Sequence, residues 1–405
     1  MTEDTPTFPR HRLNARLRQA TRSAGPDPGV KGIQRGAVHG PRPGAGHKTL
    51  IRILVVARPV KVVIAGAGFA AIRTAKALEG KADVIIVSPG DRFVYLPLIH
   101  EMVSERQLPR DVTKPLREIC PNATHVHDRA VAVDGNHLVL ASGDKLPFDK
   151  LVVAIGAEPN DFGLPGVREH TFSFYSVKDA LLANAALKTA AVDVAGRPIR
   201  VAVIGASFTG VEVAGEAAEL LNRLDFRHEI TLLDAGELIF PHQDDAFRDG
   251  VHQGIERLGM TVRPNVRITG VEAGKVLIGD ETVKADVIFW CAGAKPRRID
   301  GVDSAVRATL QSGDRDDIFV LGDAADFPRA WAVPKLAQTA EMQAPVVAHN
   351  ILHPEAMKEY RPSVKGIIVS IGHHYAVADI SGQNLVGNVP WHVKRQLYKS
   401  KIRFA

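Results

Sequence analysis

Val62-Val63-Ile64-Ala65-Gly66-Ala67-Gly68-Phe69-Ala70-Ala71 decides the fold: four apolar β-formers run into a Gly-X-Gly turn, and a helix of small residues opens directly behind it. A buried strand ending on such a turn lets backbone approach a pyrophosphate at a helix N-terminus, where unpaired N–H groups and the helix dipole favour an anion. The pattern returns at Val201-Ala202-Val203-Ile204-Gly205-Ala206-Ser207-Phe208-Thr209-Gly210. One such motif is weak evidence. Two in tandem imply two dinucleotides on one chain, an arrangement suited to passing electrons between cofactors.

Working outward, the first turn continues through a helix to about Leu78 and a second strand, Val84–Val87. A β-alternating stretch with a turn follows at residues 131–140, then a buried strand, Leu151–Ile155, ending on Gly156-Ala157. The second unit repeats this order: a long helix to about Arg223, the strand Ile230–Leu233, another β-rich stretch, and the strand Val287–Trp290 ending on Ala292-Gly293. A last buried strand, Ile318–Leu321, stops at Gly322-Asp323, and a helix is read from about Lys335 to Asn350. If that strand rejoins the first sheet, the second nucleotide unit is an insertion within the first. The expected fold is therefore α/β, with two Rossmann-like dinucleotide-binding domains. The division read from the sequence is a disordered basic extension at 1–58, the first nucleotide domain at 59–170 and 296–365, the second at 171–295, and a C-terminal segment at 366–405.

A chain of 405 residues is too long for one ordinary core, which agrees with the motif count. The formal charge of +6 is misleading: residues 1–60 hold 11 Lys/Arg against three acidic residues, leaving 40 against 42 in the remainder. The basic character belongs to a tail, so no nucleic-acid partner is expected. Residues 1–58, rich in Arg, Pro and Gly, cannot bury enough apolar surface to offset the entropy of ordering. An upstream start codon, a targeting extension and a basic arm all fit them. The two cysteines, Cys120 and Cys291, form no Cys-X-X-Cys pair, which argues against an internal disulfide relay. His125-Val126-His127-Asp128 reads as solvated strand alternation rather than a metal site, and no metal is expected. No apolar run approaches the roughly 20 residues needed to span a bilayer, so any membrane contact is expected to be peripheral.

With these residues in hand, the chain resembles the flavoproteins with two dinucleotide-binding domains, and among them the type II NADH dehydrogenases. The resemblance runs from about Lys61 to the C-terminus. Its landmarks are the Gly66 turn, Phe93-Val94-Tyr95-Leu96-Pro97-Leu98-Ile99, Ala154-Ile155-Gly156-Ala157, Gly210-Val211-Glu212, Ala292-Gly293, Gly322-Asp323 and Ala337-Gln338-Thr339-Ala340. It implies FAD in the first unit, cradled by Gly66, Gly68 and Ala71, with Gly156 allowing close backbone passage and Asp323 holding the ribityl or phosphate end. NADH would lie on Gly205, Ser207, Gly210 and Gly293, with Asp234 on the adenosine ribose and disfavouring the extra phosphate of NADPH. Glu212 would gate the site or relay protons. Ala337, Gln338 and Gln343 would line a quinone pocket, Gln338 bonding a quinone carbonyl. The implied reaction passes a hydride from NADH to FAD and then electrons to a membrane quinone, without proton pumping. The enzyme would sit peripherally on the cytoplasmic face of the inner membrane, as a possible homodimer.

Two positions depart from the pattern. Ser88 stands where many FAD folds place an acidic residue on the ribose. Ser207 replaces the middle glycine of the second fingerprint, where a Cβ costs close approach or, at positive φ, about 1 to 2 kcal/mol. The tail Trp391–Phe404 carries five Lys/Arg and no acid, and is read as membrane-associating. Its apolar groups divide, however, with Trp391, Tyr398 and Ile402 on one side of a helix and Val393, Leu397 and Phe404 nearly opposite. Competing readings are a sulfide:quinone oxidoreductase, which needs cysteines at the flavin, a soluble ferredoxin or rubredoxin reductase, and a redox-sensing protein that binds FAD and NADH without turnover.

Overall fold

The computed structural model describes residues 58–194, 196–331 and 333–404; the expectation of a disordered extension at 1–58 lies, but for Arg58, outside them. The first unit opens with β1 (Lys61–Ala65), α1 (Phe69–Leu78), β2 (Asp83–Ser88), β3 (Thr124–His127) and β4 (Lys150–Val153). Val62 to Ala65 are fully buried, as continuous apolar runs are when a parallel strand is covered on both faces. β1 pairs in parallel with β2 on one side and β4 on the other. The stretch read as β-alternating forms a hairpin, Ala130–Asp134 with His137–Leu140, about Gly135. A short strand, β5 (Ala157–Pro159), then leaves the unit.

The second unit contains α2 (Val177–Asp193), β6 (Ile199–Ile204), α3 (Phe208–Arg223), β7 (His228–Leu233), α4 (Asp245–Arg257), β8 (Thr261–Arg263) and β9 (Val287–Trp290). Side-chain caps start two of its helices: Ser176 accepts from Asp179 N before α2, and Asp244 accepts from Phe247 N before α4. The four strands form a parallel sheet in the order β8-β7-β6-β9. The return strand, β10 (Ala294–Pro296), pairs antiparallel with β5, so the chain enters and leaves this unit along one two-stranded ribbon. β11 (Ile318–Val320) then joins β4, giving the order β11-β4-β1-β2-β3. The second nucleotide unit is thus inserted in the first.

The next helix, α5 (Ala337–Leu352), starts two residues later than read, because Thr339 Oγ1 accepts from Leu336 N and makes Leu336 the cap. α5 packs along α1, and Ala70 and Ala340 converge on Gly322 between them.

Beyond α5 an antiparallel sheet of β12 (Ile367–Ser370), β13 (Ala376–Ile380) and β14 (Gln383–Gly387) leads into α6 (Asn388–Phe404). The segment read as membrane-associating packs one of its sides into the protein. Trp391 and Lys394 are buried, and Tyr398 packs edge-on against Tyr95 with centroids 5.5 Å apart. The divided apolar pattern has a physical reason: one side of α6 belongs to the protein core. Val389 and Leu397, on the other side, are 65% and 47% exposed. Among the described residues no helix is long and apolar enough to cross a membrane.

Candidate active site between the nucleotide-binding units

The two glycine turns are built alike. Gly66 N donates to Val87 O at the end of β2, and Gly205 N donates to Leu233 O at the end of β7, both at 2.8 Å. Both glycines have positive φ, +117° and +96°. A Cβ on Gly66 would lie 2.2 Å from Ala154 O, and one on Gly205 would lie 2.8 Å from Cys291 C, so close backbone approach excludes any side chain. Gly68 caps α1 in extended backbone, and a Cβ there meets nothing within 4 Å, which leaves open space at the helix N-terminus. Ser207 caps α3 with φ −92° and ψ −164°, nearly the conformation of Gly68. The serine therefore carries no left-handed strain, and its hydroxyl makes no capping bond to the helix.

Two fingerprint residues sit behind the turns rather than on them. Ala71 is fully buried, and a Cβ on Gly210 would lie 1.8 Å from Gly205 O. Their small size lets each helix pack on its strand, so a direct cradle contact is corrected to a packing role. Ser88 and Asp234 occupy matching places one residue beyond the carbonyls that receive the turn. Ser88 is buried. Asp234 Oδ2 accepts from Ala206 N at 2.6 Å and Oδ1 from Gly236 N at 2.8 Å, pinning the second fingerprint to its own turn.

Between the units, Gly156 has φ +72° and open space at its Cβ position. Gly293 carbonyl accepts from the Tyr175 hydroxyl at 3.2 Å and from Asn160 N at 3.3 Å. Burial pushes the Tyr175 phenol up to about 12, aided by the nearby charge of Asp323. Burial likewise raises Asp323, against the opposing charge of Lys335, whose Nζ donates to the Asp323 carbonyl. Gly322 N donates to Gln343 Oε1 at 2.7 Å, and Gln343 is 1% exposed. Gln343 therefore buttresses the Gly322-Asp323 turn, and its assignment to a pocket wall is corrected: a side chain on that inner face of α5 is committed to backbone. Gln338, beside Ala337 in the first turn, donates to Gly366 O at 2.9 Å and accepts from Lys365 N at 3.2 Å, holding the strand leading to β12.

Glu212, on the first turns of α3, meets three groups that the sequence reading missed. Lys394 Nζ, from α6, donates to its Oε1 and to Ser370 Oγ; Ser370 N and Oγ also approach Glu212. His100 Nδ1 stands 3.4 Å from Glu212 Oε2, in the segment Leu96–Met102. Burial pushes the Glu212 carboxyl up, against the nearby charge of Lys394, and pushes the His100 imidazole well down, keeping it neutral. Lys394 had a legible signal, since Trp391, Lys394 and Tyr398 recur at helical spacing on one face. His100 had none.

Two anion-ready helix N-termini, open space at Gly68 and Gly156, and a desolvated carboxyl at Asp323 fit a pair of dinucleotides meeting at the ribbon between the units. This is the site of a two-dinucleotide oxidoreductase. The profile of the pyridine nucleotide-disulphide oxidoreductase family matches residues 60–344, and the chain belongs to that family. FAD and NADH are the cofactors the family implies. The chain is 27% identical over 378 residues to a demethylphylloquinone reductase of Synechocystis, covering 84% of this chain and 92% of that protein. It is 28% identical over 294 residues to the type II NADH:quinone oxidoreductase of Haemophilus influenzae, covering 62% and 66%. The NDH2 of Plasmodium falciparum, solved in complex with NADH, shares the fold with a TM-score of 0.76 at 17% identity, over 86% of this chain and 97% of that one.

Proposed function

We propose that this chain is a non-pumping NADH:quinone oxidoreductase, with FAD held by residues 59–170 and 296–365 and NADH by residues 171–295. The observation that carries this reading is the buried Glu212–Lys394 pair with Ser370 and His100, proton-handling groups at the cofactor end of α3, in a chain whose thiols are unsuited to sulfur chemistry. Burial raises Cys120 to about 11 and pushes Cys291 up as well, so both stay protonated and poorly nucleophilic. That disfavours a sulfide:quinone oxidoreductase. Curated relatives named as NADH:quinone oxidoreductases support the same choice.

Bound FAD would supply the two-electron redox chemistry that links NADH to the quinone. The protein positions the partners. Gly66, Gly68 and the N-terminus of α1 receive one pyrophosphate, and Gly205, Ser207 and the N-terminus of α3 the other. Asp234, fixed by two backbone N–H groups, presents its carboxylate to the adenosine ribose. Gln338 would exchange the Gly366 carbonyl for a quinone carbonyl as its acceptor. Glu212 holds a proton for the reduced quinone, and Lys394 stabilises the carboxylate once that proton leaves. Steady-state assays test the reading: short-chain quinones should support NADH oxidation, while sulfide and iron-sulfur acceptors should not. The opposite ranking would overturn it.

NADH should exceed NADPH in kcat/KM by about tenfold or more, because a 2′-phosphate would face the Asp234 carboxylate. Equal values would remove that role. The exposed side of α6, with Val389, Val393 and Leu397 among basic residues, is the surface proposed for peripheral contact with the cytoplasmic face of the inner membrane, as monomer or homodimer. Changing Val393 and Leu397 together to aspartate should weaken binding to anionic vesicles about tenfold or more. Binding equal to the parent protein would place the contact elsewhere.

A further inference from the structure

The loop that leaves β5, Asn160-Asp161-Phe162-Gly163, holds an aromatic residue in left-handed backbone, with φ +51° at Phe162 followed by +70° at Gly163. Glycine takes that conformation freely, but a bulky side chain is strained there. The surrounding side chains hold the strain in place. Phe162 N donates to Asn160 Oδ1 at 3.0 Å, Gly163 N donates to Asp161 Oδ1 at 3.1 Å, and Arg168 Nε donates to Asp161 Oδ2. Trp290 Nε1, at the end of β9, donates to Asn160 O at 2.9 Å and ties the loop to the second sheet.

Packing does not account for an aromatic residue in this place, because Phe162 is 60% exposed. Part of the ring meets Trp290, with centroids 6.5 Å apart, and Gly293, whose Cβ, if it had one, would lie 3.0 Å from Phe162 Cζ. The remaining ring surface is open to solvent. Backbone strain that packing does not offset collects at ligand clamps and active sites.

The position of Phe162 along the dinucleotide follows from the sheet order. In an open parallel sheet the ligand lies across the carboxyl ends of the strands, at the point where the strand order reverses. Here β6 is flanked by β7 on one side and β9 on the other. In the placement proposed above, Asp234 at the end of β7 takes the adenosine ribose, and the Gly205 turn at the end of β6 takes the pyrophosphate. The other half of NADH then extends over the end of β9, along Cys291-Ala292-Gly293. On the far side of Gly293, the Tyr175 hydroxyl that donates to its carbonyl lies within the field of Asp323, in the first unit. Gly293 thus stands between the pyrophosphate turn and the FAD unit, where a nicotinamide must lie to meet a flavin.

Resting on that placement of NADH, we propose that Phe162 binds the nicotinamide riboside end of the dinucleotide, its exposed ring forming an outer wall that packs on this end and shields it from water. The strained backbone keeps the ring over Gly293 rather than against the sheet below. The contact is made before and during hydride transfer alike, so it acts on KM more than on kcat. An aromatic contact of this kind changes affinity by about three- to tenfold.

The test titrates the full-length, FAD-loaded protein with NAD+ and with ADP, which keeps the adenosine and pyrophosphate but lacks the nicotinamide riboside. Phe162→Ala should weaken NAD+ about fivefold and leave ADP within about twofold, and Phe162→Tyr should bind both as the parent does. Phe162→Gly relieves the left-handed strain, so it should melt no lower than the parent and still lose the preference for NAD+. With ferricyanide as acceptor, both truncations should raise the KM for NADH about fivefold and change kcat by less than about twofold. Equal weakening of NAD+ and ADP, a loss confined to ADP, or no loss of either would overturn the role of Phe162 alone. A parent protein that binds neither nucleotide would overturn the placement of NADH beneath it as well.

Discussion

Gly66→Ala should yield a colourless protein of lowered stability. The residue sits at φ +117°, and a Cβ would stand 2.2 Å from the Ala154 carbonyl oxygen, so the β1–α1 turn must move away from the end of β4. The combined strain and clash should cost about 3 kcal/mol, enough to lower the melting temperature by several degrees and to misplace the N–H groups that receive the pyrophosphate. Gly68→Ala separates the two effects. Its backbone is extended and its Cβ position is open, so the fold should hold while the methyl group occupies ligand space. Flavin absorbance and thermal denaturation of both variants, measured side by side, check this. A fully flavinated Gly66→Ala protein would show that the cofactor lies elsewhere.

Lys394→Met should be the most damaging change in the C-terminal helix. It leaves the Glu212 carboxylate beside Ser370 with its cation gone, and breaking a buried pair from one side costs about 3 to 5 kcal/mol. Glu212→Gln with Lys394→Met should recover a large part of that loss, because no unpaired charge remains, yet quinone turnover should stay low. The pH dependence has a definite sign. A carboxyl whose folded pKa is raised keeps its proton where the unfolded chain has lost it, so this group favours the folded state at low pH and penalises it as pH rises. In Lys394→Met the loss of stability should therefore grow from acidic to alkaline pH. Denaturant titrations across that range check it, and a pH-independent loss would show that Glu212 is not the group left exposed to the penalty.

The strands and turns were legible because β1, β4, β6, β9 and β11 are short apolar runs that reach a glycine within three residues, and β11 could be anticipated as the strand that closes the first sheet. The Gly322-Asp323 turn was legible for the same reason, as the stop after such a run. Ser207 was harder: a serine in place of glycine suggested strain, but the backbone there is extended, and sequence does not report φ. The resemblance placed Gln343 in a pocket, whereas the helix turns that position inward to the Gly322 N–H. The tail was half legible because a basic helix with apolar groups on two sides suits either a membrane or a core, and only packing against Tyr95 and β12–β14 shows which side is core. The cluster around Glu212 draws on residues near 100, 212, 370 and 394. No local period can announce a site assembled from four distant segments.

Anaerobic reduction followed by reoxidation tests the central claim most directly. NADH added to the FAD-loaded protein should bleach the flavin absorbance, and a short-chain quinone added next should restore the oxidised spectrum with one quinol formed per NADH consumed. A flavin that NADH bleaches and quinone leaves bleached would contradict the account.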